Sequence, residues 1–312
     1  MPTTIPLLFL EVVAKQPDLA AQFAKDANGD FQPKSYAALK ADIAVAASGL
    51  RELGLQRGER VGLISDNRPE WLVADLAILG LGGADVPRGC DATEEEVRYI
   101  LSWSGCRLAI LENEKQLKKI LASPASYPEL KTIILFDPAG EEQGNAAKAA
   151  GFRLVTWAEL KGLGLAHGRK GSGQAALEAE YEADAALGKG DEMATLIYTS
   201  GTTGEPKGVM LSHRNFLYQC DHILDVVRIR SGDIFLSVLP IWHVFERIAQ
   251  YMIITAGAGV AYSKPIGSIM LADLQAMRPQ WMASVPRIWE SVQDGVYRNI
   301  KQQGGIKKVM FG

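Results

Sequence analysis

Cysteine, histidine, net charge and long apolar runs are all scarce in this sequence. Its three cysteines, Cys90, Cys106 and Cys220, lie far apart at irregular spacing. An odd, scattered set offers no disulfide framework and no metal-cluster spacing, which points to a reducing compartment. Of the four histidines, His167, His213 and His222 have no carboxylate or cysteine partner at ligand spacing, and they are read as non-catalytic. The formal net charge is −3 with 22% charged residues, so the basic field that nucleic-acid binding needs is missing. The longest apolar runs, Trp71–Gly83 and Tyr251–Tyr262, are interrupted by Asp75 and by Gly257 and Gly259. Both fall short of the ~20 residues a spanning helix requires. Met1–Leu10 lacks the basic start of a secretory signal. The expectation is a cytoplasmic protein with no nucleic-acid partner, peripheral contact with a membrane being left open.

What is present is apolar residue in quantity. At 312 residues and 47% hydrophobic, the chain can bury one large core or two ordinary ones. Short apolar runs alternate with helical periodicity. Val61–Ser65 reads as a strand, and Asn67-Arg68-Pro69-Glu70 as a helix start with Asn67 as cap and Pro69 in the first turn. Thr93-Glu94-Glu95-Glu96 has capping-box spacing before a run to Trp103. Arg107–Leu111 and Thr132–Asp137 read as strands. The alternation predicts an α/β chain with largely parallel sheets. From Gly162 to Gly190 the Gly, Ala, Glu and Lys content rises and the apolar period fades, which reads as a surface excursion or linker. Beyond it, Met193–Thr199, Ile234–Leu239, Val260–Ser263 and Trp281–Ser284 read as strands. Ser212–Val227, His243–Thr255, Ile269–Met277 and Arg287–Lys301 read as helices. The expected organisation is two α/β subdomains, 1–190 with its excursion near 162–190, and 191–312, the second cut short at its end.

The stretch from Thr199 to Gly208, Thr-Ser-Gly-Thr-Thr-Gly-Glu-Pro-Lys-Gly, concentrates three features. Gly201, Gly204 and Gly208 let the backbone turn sharply and approach a ligand. Thr199, Ser200, Thr202 and Thr203 offer four hydroxyls within five positions, and Lys207 adds a mobile positive charge. Together they form a cradle for phosphate oxygens, to which backbone N–H groups add donors. The spacing is not G-x-x-x-x-G-K-[ST], because Lys207 follows Gly204 by three and Gly208 replaces the hydroxyl residue. An ordinary polar surface loop is the competing reading.

This stretch matches [ST]-[SG]-G-[ST]-[ST]-G-x-P-K-G throughout and resembles the signature of the adenylate-forming superfamily. Leu239-Pro240-Ile241-Trp242-His243 resembles that superfamily's Leu-Pro-x-x-His element. Three further stretches are similar to the long-chain fatty acyl-CoA synthetases: His243-Val244-Phe245-Glu246-Arg247, Ser284-Val285-Pro286-Arg287-Ile288-Trp289-Glu290, and Asp85-Val86-Pro87-Arg88-Gly89 with Asp91-Ala92-Thr93. Read without the resemblance, His243 is a helix-start histidine that satisfies backbone, Glu246–Arg247 a solvated pair, Arg287 and Glu290 an i,i+3 pair, and Trp242 a core residue.

The resemblance implies the N-terminal portion of the adenylate-forming fold, without its C-terminal domain. It implies ATP and Mg²⁺ as cofactors, coenzyme A as co-substrate and a long-chain fatty acid as substrate. Thr199, Ser200, Gly201, Thr202, Thr203, Gly204 and Lys207 would hold the phosphates of ATP, with Thr199 near magnesium. Lys207 and His243 would be catalytic, His243 and Trp242 lying at the acyl end. The carboxylate would attack the α-phosphate and expel pyrophosphate, and the thiol of coenzyme A would then displace AMP. The superfamily's adenine, ribose and magnesium elements and its catalytic lysine are not found before Gly312, so the fragment alone is expected to be inactive. Adenylation of another carboxylic acid, or a non-catalytic module that binds nucleotide or acyl chains, remain alternatives.

Overall fold

The computed structural model describes residues 2–171, 173–199 and 206–303. The chain opens with helix α1 (Ile5–Lys15), strands β1 (Ala20–Lys25) and β2 (Phe31–Ser35), and helix α2 (Tyr36–Glu52). An alternating run follows: β3 (Arg60–Ile64), α3 (Pro69–Gly80), β4 (Ala84–Arg88), α4 (Glu94–Ser104), β5 (Leu108–Leu111), α5 (Glu114–Leu121), β6 (Thr132–Leu135), α6 (Glu141–Ala149), β7 (Arg153–Thr156), α7 (Trp157–Gly171) and α8 (Gln174–Ala186). Strands β8 (Met193–Thr199) and β9 (Lys207–Ser212) lead to α9 (His213–Leu224), β10 (Ile234–Ser237), α10 (Val244–Thr255), β11 (Gly259–Tyr262), α11 (Gly267–Met277) and α12 (Pro286–Gln303).

Two sheets result. Seven strands run in the order β7-β6-β5-β3-β4-β8-β9, parallel except for the antiparallel edge strand β9. Four run in the order β10-β11-β1-β2, parallel except for β2. Both sheets are covered on both faces, as parallel sheets must be. Successive strand residues point to opposite faces. Leu108 and Ile110 accordingly join α1, α2, α3, α7 and α8 in one core, while Ala109 and Leu111 join α4 and α5 in another. In the smaller sheet Phe235 and Val260 meet Ile253 of α10, and Leu236 and Ala261 meet Met270 of α11. The layers therefore alternate helix, sheet, helix, sheet, helix. The division expected near residue 190 does not follow the sheets, because β8 and β9 complete the larger sheet and β1 and β2 complete the smaller one.

Several expected elements stand where the pattern placed them. The Thr93–Glu96 capping box opens α4, and Ser212 caps α9. Others need correction. Residues 162–190 are not a linker. They include the end of α7 and all of α8, whose Leu177, Tyr181 and Ala185 are buried at i, i+4 and i+8. The Tyr181 hydroxyl donates to the carbonyl of Leu76 at 2.9 Å. Trp281–Ser284 is not a strand. Only Trp281 bridges to Phe235. Arg68, not Asn67, occupies the cap position of α3, with no side-chain cap bond.

The glycines of α7 act through close approach. A Cβ on Gly164 would stand 2.1 Å from the carbonyl oxygen of Val45 in α2, whereas one on exposed Gly162 would meet nothing within 4 Å. The two positions therefore respond oppositely to the same change. Gly162→Ala is expected to raise unfolding free energy by about 0.5–1 kcal/mol through helix propensity. Gly164→Ala should lower it by about 1–3 kcal/mol through overpacking. Urea unfolding of the two variants checks the signs.

Candidate active site

A cleft of about 400 Å³ opens where strands of both sheets end. Asp66 and Asn67 follow β3, Asp91 follows β4, Val238 follows β10, and Ser263 to Ile266 follow β11. These are carboxyl ends of parallel strands, the edge at which open α/β sheets present ligand sites. Pro240 and Trp242 close one side.

Trp242 is fixed by the Asp85–Gly89 stretch. The Arg88 guanidinium lies 4.2 Å from the centre of the indole, and ionic contacts of 3.2 Å to Asp91 and to Glu96 hold it there. A Cβ at residue 89 would be 2.1 Å from Trp242 Nε1, so only glycine admits the ring. His243 follows and is exposed. It is the N-cap of α10, its Nδ1 accepting from the backbone N–H of Phe245 at 3.3 Å. With Nδ1 engaged as acceptor, Nε2 is the ring's available donor.

The stem of the hydroxyl-rich loop leaves the larger sheet on this same edge. Strands β4 and β8 run parallel, with Asp85 opposite Thr195, so Thr199 and Gly89 each lie four residues further on. Thr199 pairs with Lys207 across the β8–β9 ladder, and both are exposed. The Tyr99 hydroxyl donates to the carbonyl of Pro206 at 3.2 Å, and its ring meets Tyr198 edge-on at 5.9 Å, tying α4 to the stem. Ser200, Gly201, Thr202, Thr203 and Gly204 lie outside the described residues. An exposed hydroxyl and an exposed ammonium at one end of a ladder suit a polyphosphate with its accompanying cation, which is the fit that ATP and magnesium require.

Glu246 and Arg247 are not a solvated pair. Arg247 is 1% exposed and lies between Asp75 of α3 and Asp85 of β4, both 0% exposed. Its guanidinium meets Asp75 at 2.5 Å and Asp85 at 2.9 Å, and donates to the Tyr251 hydroxyl at 2.8 Å. Tyr251 in turn donates to Asp75 at 2.7 Å. Burial drives both carboxyls upward from the usual range, and the Arg247 charge opposes it. Glu246 is buried beside Ser237 and Gln250, and burial pushes its carboxyl up to about 8. Asp75 was visible in the sequence only as an interruption of an apolar run, and its partner stands 172 residues away.

Asn67 is the site residue that the sequence pattern did not reveal. Its Nδ2 donates to Ser237 Oγ at 2.8 Å and to the carbonyl of Leu239 at 2.6 Å, and its Oδ1 accepts from the N–H of Ile241 at 2.9 Å. An asparagine two residues before a proline signals a cap equally well, so local sequence could not distinguish the two uses. Asp66, Cys90 and Glu112 bring ligand atoms within 4.8 Å of one another beside the cleft. Burial, Glu112 and Asp66 all push the Cys90 thiol up, which disfavours the thiolate a metal would need. The cluster is joined instead through backbone, Cys90 N–H donating to Asp66 at 3.0 Å and Asp66 N–H to Glu112 at 2.8 Å. His167 meets Glu52 at 3.0 Å and His222 the Tyr218 carbonyl at 2.7 Å, and neither lines the cleft. No helix among the described residues is long and apolar enough to cross a membrane.

Comparison with known proteins gives the family and the fold. Residues 9–312 match the family model "AMP-binding enzyme". The chain is 32% identical to the long-chain-fatty-acid–[acyl-carrier-protein] ligase AEE15, chloroplastic, of Arabidopsis thaliana, over 88% of this chain and 37% of that protein. It is 31% identical to the long-chain-fatty-acid–CoA ligase ACSBG2 of Xenopus laevis, over 99% of this chain and 40% of that protein. It thus spans less than half the length of these relatives. The inhibitor-bound N-terminal domain of FACL13 from Mycobacterium tuberculosis shares the fold, with a TM-score of 0.70 at 21% identity over 94% of this chain and 65% of that one.

Two consequences of the buried charges can be measured. Arg247→Met leaves two carboxylates in the core without a counter-charge and should cost about 3–5 kcal/mol. Adding Asp75→Asn and Asp85→Asn should recover more than half of that loss in urea unfolding. His213, 1% exposed, accepts from the Ile5 N–H at 3.4 Å through Nδ1, and burial lowers its pKa from 6.5 to about 4. The unfolded chain therefore binds the extra proton between pH 6.5 and 4, and stability falls as pH falls through that window. The loss attributable to His213 is roughly 3 kcal/mol. His213→Asn, which keeps an acceptor, should remove that share of the slope when unfolding is followed against pH.

Proposed function

Because this chain belongs to the AMP-binding enzymes, we propose that it supplies the ATP-gripping and acyl-binding part of a ligase that activates a long-chain fatty acid through an acyl-adenylate. The observation that carries the reading is the shared edge: Thr199 and Lys207 leave the larger sheet where Gly89 backs Trp242, and His243 follows. The cleft between them is the place for the reacting carboxylate. The carboxylate oxygen attacks the α-phosphorus, the bond to the bridging oxygen breaks, and pyrophosphate leaves. A thiol, that of coenzyme A or of an acyl carrier protein, then displaces AMP. No protein nucleophile is needed, so the residues act by positioning and by neutralising charge.

Lys207 is assigned to the phosphates. Thr199, Ser200, Gly201, Thr202, Thr203 and Gly204 are assigned to the same phosphates from their sequence, and Thr199 would hold Mg²⁺. The metal, bound with ATP, would withdraw charge from the phosphate oxygens. His243 is assigned to the carboxylate through its Nε2–H. An apolar groove of about 370 Å³ between α9 and α10 begins at Val244, next to His243, and continues past Phe216, Tyr218 and Ile248. It is assigned to the acyl chain. Each methylene it buries contributes about 0.8 kcal/mol, so affinity should rise about fourfold per carbon until the groove is full. The similarity to two long-chain-fatty-acid ligases favours long chains over aryl or amino acids.

The test is fatty-acid-dependent exchange of labelled pyrophosphate into ATP by the product of the whole coding sequence. Lys207→Ala is expected to slow exchange by ~10²–10³, as loss of one electrostatic contact in a transition state does. Exposed Lys207 should leave the unfolding midpoint unchanged. An unaltered exchange rate removes Lys207 from the mechanism, and ATP binding without any exchange makes the protein a nucleotide-binding module.

A further inference from the structure

We propose that Asn67 is a positioning residue for this cleft: its carboxamide fixes the turn that carries Trp242 and His243. The inference rests on the acid-activation reading for its functional consequence, and on hydrogen bonding alone for its structural one. Strand β10 ends at Ser237, so the next six residues run beyond the sheet with no ladder to hold them. Pro240 has no N–H to offer, and among the described residues the one backbone bond closing the turn runs from His243 N–H to the Pro240 carbonyl at 2.9 Å. Asn67 stands where a neighbouring strand would. Its two donors and its acceptor are all used, on Ser237, Leu239 and Ile241. Ser237 Oγ also accepts from Gln250 of α10 at 3.0 Å. One side chain therefore joins the β3–α3 turn, the end of β10 and the body of α10. Asn67 lines the cleft with Trp242, so its reach is set at the place it serves.

No other residue type meets all three demands at this length. Asp retains the acceptor for Ile241 but loses both donors and sets a charge against the Leu239 carbonyl. Ala abandons all three. The clamp acts on Trp242 and His243 without being one of the groups assigned to substrate.

The test has two arms on one set of variants. In the chain labelled with 5-fluorotryptophan, the Trp242 resonance is assigned by its disappearance in Trp242→Phe. Asn67→Ala is expected to shift or broaden that line and leave the other five tryptophans in place. Oleate titration forms the second arm. Asn67→Ala should weaken oleate about tenfold, but less than twofold when His243→Ala is already present, because coupled sites are non-additive. Ser237→Ala should act in the same direction and less strongly. Should Asn67→Ala not fold, Asn67→Asp is measured in its place. An unmoved Trp242 line, or equal oleate losses in both backgrounds, overturns the proposal. If the unsubstituted chain does not bind oleate, the acid-activation reading falls, and the Trp242 line alone decides whether the clamp exists.

Discussion

A single guanidinium between two carboxylates, all within the core, ties the three elements that shape the cleft. Arg247 belongs to α10, Asp75 to α3 and Asp85 to β4. Removing three charges from water costs several kcal/mol per ion, and only tight pairing with additional hydrogen bonds offsets it. Tyr251 supplies such bonds, and the rings of Trp71 and Phe216 lie 5.2 and 5.4 Å from the guanidinium. The arrangement penalises any displacement of α10 relative to the larger sheet, since movement would strand a charge. The N-terminus of α10 is where Trp242 and His243 stand. A buried ion network thus anchors the helix at whose head these two residues stand.

The chain's path does the rest. Strands from its beginning complete the smaller sheet, and strands beyond residue 190 complete the larger one. The sheets are consequently interleaved, and their carboxyl edges face a common cleft. The β8–β9 ladder contributes to that edge because Thr199 and Lys207 close its open end. This crossing brings Thr199 and His243 to one edge of the molecule, although they stand 44 positions apart along the chain.

Much of this was legible where a local rule sufficed. The capping box at Thr93 predicts α4, and the apolar run at Met193–Thr199 predicts β8. The histidine at the head of α10 was readable both as a backbone-satisfying residue and as an acyl-end group. The structure shows the first in its Nδ1 bond and leaves Nε2 for the second. What failed were inferences about distance. Alanines and glycines in α7 and α8 suppress the apolar signal because close helix packing needs small residues, and the stretch then resembles a linker. Arg247 reads as surface because charged residues are rarely buried unless paired, and its partners are far away in sequence. Asn67 reads as a cap because its actual acceptors begin 170 residues later. Trp281–Ser284 has strand composition, yet only one of its residues finds a sheet edge.

On the proposed reading, the residues that join β8 to β9 take the polyphosphate of ATP. A crystal structure of the protein with magnesium and a non-hydrolysable ATP analogue tests it most directly. The expected result is β- and γ-phosphate oxygens within hydrogen-bond distance of Lys207 Nζ and the Thr199 hydroxyl. A triphosphate bound elsewhere, away from those residues, would contradict it.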